Sequence, residues 1–208
     1  MTPVGVVLAS ASPARLALLR QCGIEPTVVV SRVDEEAVTE PTPAGLAETL
    51  ARLKGDDVAS RLPTSVAAEH RLVVACDSVL EVDGAAHGKP GDPQTAVTRL
   101  RTLRGRSAVL HTGHHLIDLS RQVSRTATES TTVVFGWISD EEIDAYVATG
   151  EPLQVAGSFT IDGRGGAFVD RVEGDPSNVV GLSLPLVRRL VGDLGIAWYE
   201  LWNRPSGP

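Results

Sequence analysis

The sequence predicts an α/β protein built on one mixed sheet with flanking helices. Three observations carry that reading. Apolar runs of strand length alternate with segments whose apolar residues recur at helical spacing. Several helical segments open on a capping residue followed by proline. Hairpin signals occur as well, so the sheet cannot be wholly parallel.

Val4 to Ala9 is an apolar run expected to form a buried strand. Ser12-Pro13 opens a helix with Leu16, Leu19 and Cys22 on one face, and Gly23 closes it. Thr27 to Val30 is a second strand. Thr42-Pro43 opens a second helix, with Leu46, Leu50, Leu53 and Val58 as its expected apolar stripe. Leu72 to Val82 reads as a strongly apolar strand, and Asp83-Gly84 as the turn of a hairpin. Asp92-Pro93 caps a third helix that turns Val97, Leu100 and Leu103 inward and ends before Gly105.

Two long strands follow, near Ala108 to Leu119 and Thr126 to Ile138, and are expected to pair. Ser139 and Glu142 form the S-x-x-E capping box of a fourth helix, with Ile143 and Tyr146 or Val147 inward and Gly150 at its end. The Gly-rich stretch from Gly157 to Gly181 is expected to hold short strands. A last helix runs from about Pro185 to Leu194. One domain over residues 1–202 and a disordered Pro/Gly/Ser tail at 203–208 complete the expectation.

Of the 208 residues, 42% are hydrophobic, enough for a core without disulfides. The two cysteines, Cys22 and Cys76, have no metal-ligand spacing and read as reduced thiols of a cytoplasmic protein. The net charge of -7 argues against long nucleic acid as a partner, though a pocket for a small anion needs only a few local cations. No run approaches the ~20 apolar residues of a membrane span.

Chemistry concentrates at a few positions. Ser10-Ala11-Ser12-Pro13-Ala14-Arg15 lies between a strand and a helix, where free N–H groups, two hydroxyls and a guanidinium suit phosphate oxygens. An ordinary helix cap with a surface arginine would look the same. Asp77 interrupts an apolar strand, which is costly unless the carboxylate is paired, metal-bound or at an open strand end. Asp34, Glu35 and Glu36 follow another strand. Only Lys54 and Lys89 represent lysine in a chain rich in arginine, as if compact point charges were kept for special places. Asp34, Glu35 and Asp77 could offer oxygen ligands to a divalent cation such as Mg²⁺. His111, His114 and His115 match no zinc spacing, and Gly163, Gly165 and Gly166 form no dinucleotide fingerprint.

Taken in order, a set of short segments resembles the Maf family of nucleotide pyrophosphatases, which shares its fold with the inosine triphosphatase superfamily. They are Leu-Ala-Ser-Ala-Ser-Pro-Ala-Arg at 8–15, Val-Asp-Glu at 33–35, Leu-Ala-Arg-Leu-Lys at 50–54 and Ala-Cys-Asp-Ser-Val at 75–79. Gly-Lys-Pro at 88–90, His-Thr-Gly at 111–113, Ala-Gly-Ser-Phe at 156–159 and Val-Val-Gly-Leu-Ser-Leu-Pro-Leu at 179–186 continue the series.

The resemblance implies two lobes around a nucleotide cleft, often in a homodimer. It implies metal-assisted hydrolysis of nucleoside triphosphates between the α- and β-phosphates, with Mg²⁺ or Mn²⁺. Asp77 matches the carboxylate that activates water. Glu35 matches an acidic residue associated with metal and water, so both carboxylates are implied metal ligands. Arg15, Lys54 and Lys89 match the cations that hold the triphosphate, and Ser10 and Ser12 the hydroxyls of the phosphate turn.

Ala14, Ser78 and Asp162 fall at positions resembling the base-selecting sites. The dTTP- and UTP-preferring branch has Arg, Thr and Gln there, and the 7-methyl-GTP branch has Trp, Gln and Glu. This chain fits neither, so the base stays open. Val155 replaces a lysine of the first branch, with Arg164 as a possible substitute. Two other readings stand beside pool-cleaning hydrolysis: a nucleotide-binding regulator of cell division with little turnover, and a triphosphatase for deaminated purines.

Overall fold

The computed structural model describes residues 3–203. The chain begins with β1 (Val6–Leu8), crosses through α1 (Pro13–Gln21) to β2 (Thr27–Val28), and continues into α2 (Pro43–Ser60) and the short α3 (Thr64–Glu69). The hairpin β3 (Leu72–Val82) and β4 (Ala85–His87) follows, then α4 (Pro93–Leu103), the paired strands β5 (Ser107–Asp118) and β6 (Val123–Phe135), and α5 (Asp140–Ala148). After three 3-10 turns come β7 (Val169–Glu173), α6 (Pro176–Val180) and α7 (Leu184–Asp193). Among these, no helix is long and apolar enough to cross a membrane. Of the tail expected at 203–208, residues 204–208 lie outside the described residues. The Asn203 N–H donates to the Gly23 carbonyl at 2.7 Å.

The sheet is mixed and seven-stranded, ordered β2-β1-β3-β5-β6-β7, with β4 also on β3. The β1 strand pairs in parallel with β2 and β3, and the remaining pairs are antiparallel. Along one edge of β3, β1 covers Leu72 to Val74 and β4 covers Leu80 to Val82. The five residues between, Ala75 to Val79, therefore face a breach in the sheet. The turn after β1 and the loop after β4 border this breach from its two ends, and Asp77 sits at its middle.

Apolar clusters flank the breach. One joins Leu8, Leu72, Val74 and Leu116 to α1 and α7 through Leu19, Leu186, Leu190 and Val191. Another gathers Leu80, Val82, Leu110, Val133, Phe135 and Phe159 toward the far end of β3. Ala96 and Leu100 of α4 pack with Ile143, Tyr146 and Val147 of α5 in a third.

Three expectations need correction. The inward face of α2 is only part of the expected stripe: Leu50 and Val58 are buried, but Leu46 and Leu53 are half-buried. The buried residues are Pro43, Ala47, Leu50, Ala51, Lys54, Gly55 and Val58. Small side chains let this helix lie close to the sheet, so the face is rotated toward them. The close approach is tightest at Gly113, where a Cβ would collide with the Ala47 carbonyl. Second, the glycine-rich stretch holds one strand, β7, and otherwise 3-10 turns and α6. Left-handed backbone at Gly157, Gly174 and Gly181 breaks up any longer strand. Third, α3 and the 3-10 turn at Trp198–Leu201 were not anticipated, because each is too short for an apolar period to show.

Candidate active site

Strand alternation sends Ala75, Asp77 and Val79 to the face under α2, and Cys76, Ser78 and Leu80 to the other. Lys54 lies four residues from Leu50 and from Val58, so the helix points it into the same buried face. The two meet: Lys54 Nζ donates to Asp77 Oδ1 at 2.5 Å. Lys54 Nζ also pairs with Glu35 Oε1 at 2.8 Å. Lys54 and Asp77 are 8% and 7% exposed, while Glu35 stands half-exposed at the rim.

One ammonium thus gathers two carboxylates of different character. Burial pushes the Asp77 carboxyl above its ordinary value, and the charges of Lys54 and Arg15 only partly oppose this. Burial also acts upward on Glu35, but there Lys54, Lys89 and Arg15 prevail and hold it below the usual range. The more basic carboxylate is therefore the buried one at the breach. Lys89 is exposed and makes no ion pair among the described residues. Its charge acts on Glu35 from the loop after β4.

The turn after β1 is built as expected for its cap. Ser12 Oγ accepts from the Arg15 N–H at 3.4 Å, and Ser10 Oγ accepts from the Ser12 N–H at 3.2 Å. Arg15 is not a surface arginine. Its guanidinium is buried and donates to the Gly181 carbonyl at 2.7 Å, the Cys76 carbonyl at 2.8 Å, Ser10 Oγ at 3.1 Å and Ser78 Oγ at 2.9 Å. Arg15 therefore ties the turn to β3 and to the end of α6.

Behind Arg15 lies a chain of polar groups of which the sequence pointed to Ser78 and His114, but not to the links among them. The Thr112 hydroxyl donates to the Asn178 carbonyl at 3.2 Å, so at 3.0 Å Ser78 must be the donor to Thr112 Oγ1. His114 Nε2 accepts from the Ser183 N–H at 2.8 Å, which leaves Nδ1 to donate to the Thr112 carbonyl at 2.9 Å. Burial first, and then the Arg15 charge, push His114 down to about 4. This ring is a neutral structural strut.

Other expected positions fall outside the cluster. Ala14 is half-buried on the first turn of α1. Ser78 is committed to Arg15 and Thr112. Asp162 stands on an exposed loop and makes no hydrogen bond to the Lys54 group. Arg164, the possible substitute for a lysine at 155, pairs with Glu151 at 3.3 Å. Asp34 accepts the Glu36 N–H at 3.2 Å instead of joining Lys54. Both cysteines are free, and burial raises the Cys76 thiol to about 12.

The donor chemistry accommodates a divalent cation. Two carboxylates converge on Lys54, and hard oxygen donors are what Mg²⁺ selects. Among the described residues no group of three or more His, Cys, Asp or Glu could hold a metal ion. A pair of carboxylates suits an ion that completes its shell with water and phosphate oxygens.

A nucleoside triphosphate pyrophosphatase of Streptomyces coelicolor is 55% identical over 197 residues, covering 95% of this chain and 94% of that protein. A protein of the same name from Salinispora tropica is 54% identical over 202 residues, covering 97% and 89%. One from Cyanothece sp. is 51% identical over 196 residues, covering 94% and 98%. The family model described as Maf-like protein matches residues 5–194, and the chain belongs to that family.

Proposed function

We propose that this protein hydrolyses nucleoside triphosphates between the α- and β-phosphates, releasing a nucleoside monophosphate and pyrophosphate. The observation that carries the reading is Lys54, buried at the breach between Asp77 and Glu35. Relatives at about half identity, named nucleoside triphosphate pyrophosphatase, support it.

The triphosphate lies over the turn at Ser10 to Arg15, where α1 offers a partial positive charge and, since Pro13 has no N–H and Ser12 holds that of Arg15, the N–H of Ala14. Arg15 holds the turn's shape through four protein acceptors. Asp77, made more basic by burial, orients a water and takes its proton as the oxygen attacks the α-phosphorus. The bond to the oxygen bridging α and β breaks, and Lys54 and Lys89 meet the charge on the departing pyrophosphate. A divalent cation held by Asp77 and Glu35 would supply charge neutralisation at the phosphate oxygens. The physiological task we assign is the clearing of unwanted nucleotides from the pool.

The test assays phosphate release from a panel of triphosphates with Mg²⁺ or Mn²⁺, with and without added inorganic pyrophosphatase. Phosphate that appears only with the helper enzyme establishes α–β cleavage. Asp77→Asn should lower turnover by at least ~100-fold with little change in melting temperature. Turnover close to wild type in that variant removes Asp77 as the base. No phosphate from the wild type under either condition would leave a nucleotide-binding regulator as the better description.

A further inference from the structure

A second feature lies on the opposite face of β3 from Lys54 and Asp77. Between α4 and the β3–β4 hairpin is a cavity of about 250 Å³ whose lining includes Val82, His87, Gln94, Thr98 and Arg99. Val82 shares its face of β3 with Ser78, but Leu80 stands between them, with Gly157 packed against it. The cavity is therefore separate from the breach.

Its charge is one-sided. Arg99 Nη1 donates to the Gly88 carbonyl at 2.5 Å and to Ser158 Oγ at 3.2 Å. Among the described residues no carboxylate pairs with Arg99, and its Nε and Nη2 hydrogens have no protein acceptor. Burial lowers its affinity for a proton with nothing to offset it. His87 lines the same space and is pushed down by burial and by the Arg99 charge. Of the neighbouring carboxylates, Asp83 pulls His87 upward by its charge, but none among the described residues bonds to His87 or Arg99. Asp83 pairs with Arg106 at 2.6 Å. Asp92 caps the first turn of α4 through the Thr95 N–H at 2.9 Å.

We propose that this cavity binds a small oxyanion of the phosphate class, held by the free edge of Arg99, the His87 imidazole and the Gln94 amide. A guanidinium edge matches two oxygens of a phosphate, and the neutral His87 imidazole can donate an N–H to another. The volume is below that of pockets for whole drug-sized ligands, which favours inorganic phosphate or pyrophosphate over a nucleotide. Because Arg99 also holds the Gly88 carbonyl, the bound anion sits one peptide from Lys89. The inference does not depend on what the breach turns over.

The experiment follows the histidine side chains of the full chain by proton–nitrogen NMR, without nucleotide or metal. Inorganic phosphate and pyrophosphate are titrated against chloride at matched ionic strength. The His87 resonances should shift saturably with an oxyanion and not with chloride, and should do so equally in Lys54→Ala. Arg99→Gln and Thr98→Asp should each weaken the response by at least about tenfold. Thr98 is exposed, so its variant tests the site without touching the tether to Gly88. No saturable shift of His87, an undiminished response in Thr98→Asp, or its loss in Lys54→Ala would each overturn the proposal. Tighter binding of pyrophosphate would identify the released product as the source, and tighter binding of phosphate the free ion.

Discussion

At the scale of single residues, His114 shows how burial fixes a protonation state. Its folded value of about 4 lies below the ordinary 6.5, so the unfolded chain binds more protons in between. Stability from this ring is fully present above 6.5 and is lost as the pH falls through 4. The full contribution is about 3 kcal/mol. His87 and His115 are also lowered and add slope of the same sign. Urea denaturation at stepped pH should find His114→Gln with a flatter profile than wild type between 6.5 and 4. An unchanged slope would mean that the imidazole is protonated in the folded protein. Residues of this kind were only partly legible. Asp77 stood out because an unpaired charge in an apolar strand is costly, and Lys54 and Lys89 because lysine is scarce. Arg15 was noticed, but not its burial. Two of its acceptors are backbone carbonyls 61 and 166 residues away, and a carbonyl leaves no mark on a sequence.

At the scale of elements, α2 and β5 decide where Lys54 points. Asp77 is paired in register with Gly113, and the helix passes directly over that glycine. Gly113→Ala would push its methyl into the Ala47–Glu48 backbone, costing about 1–3 kcal/mol and lifting Lys54 away from Asp77. Turnover should fall along with melting temperature. Gly55→Ala is the comparison: its Cβ would meet side chains, the His115 ring and Ala75, and not backbone. Equal effects from the two would argue against a special role for the crossing at Gly113. The helices with cap-and-proline openings were legible because those signals are local, and Ser12, Thr42 and Asp92 cap as read. The face of α2 was legible only at Leu50 and Val58, because hydrophobicity favours leucine while close packing favours alanine and glycine.

At the scale of the molecule, the breach separates the part of β3 held by β1 from the part held by β4. The turn at Ser10 to Arg15 belongs to one side and Lys89 to the other. A triphosphate that engages both ties the two apolar clusters together, so it should bind only the folded chain. At a hundred times its dissociation constant it would raise the melting temperature by roughly 5–10 °C. The Asp77→Asn protein, which should not consume the nucleotide, is the material for that measurement. A shift near zero at saturating triphosphate would place the ligand on one side only. The mixed sheet was legible from hairpin signals beside crossovers. The breach was not, since it arises from how far β1 and β4 extend along β3.

The scarcity of lysine has a practical side. An amine-directed acylating reagent meets two ε-amines of opposite fate in this chain. Lys54 is sealed between carboxylates, and Lys89 is open to solvent. Brief treatment should tag Lys89 and spare Lys54, as peptide mass mapping would reveal, and bound triphosphate should shield Lys89. Lys89 thus offers, besides the α-amine of the chain, an attachment point for a dye or a solid support next to the breach in the sheet.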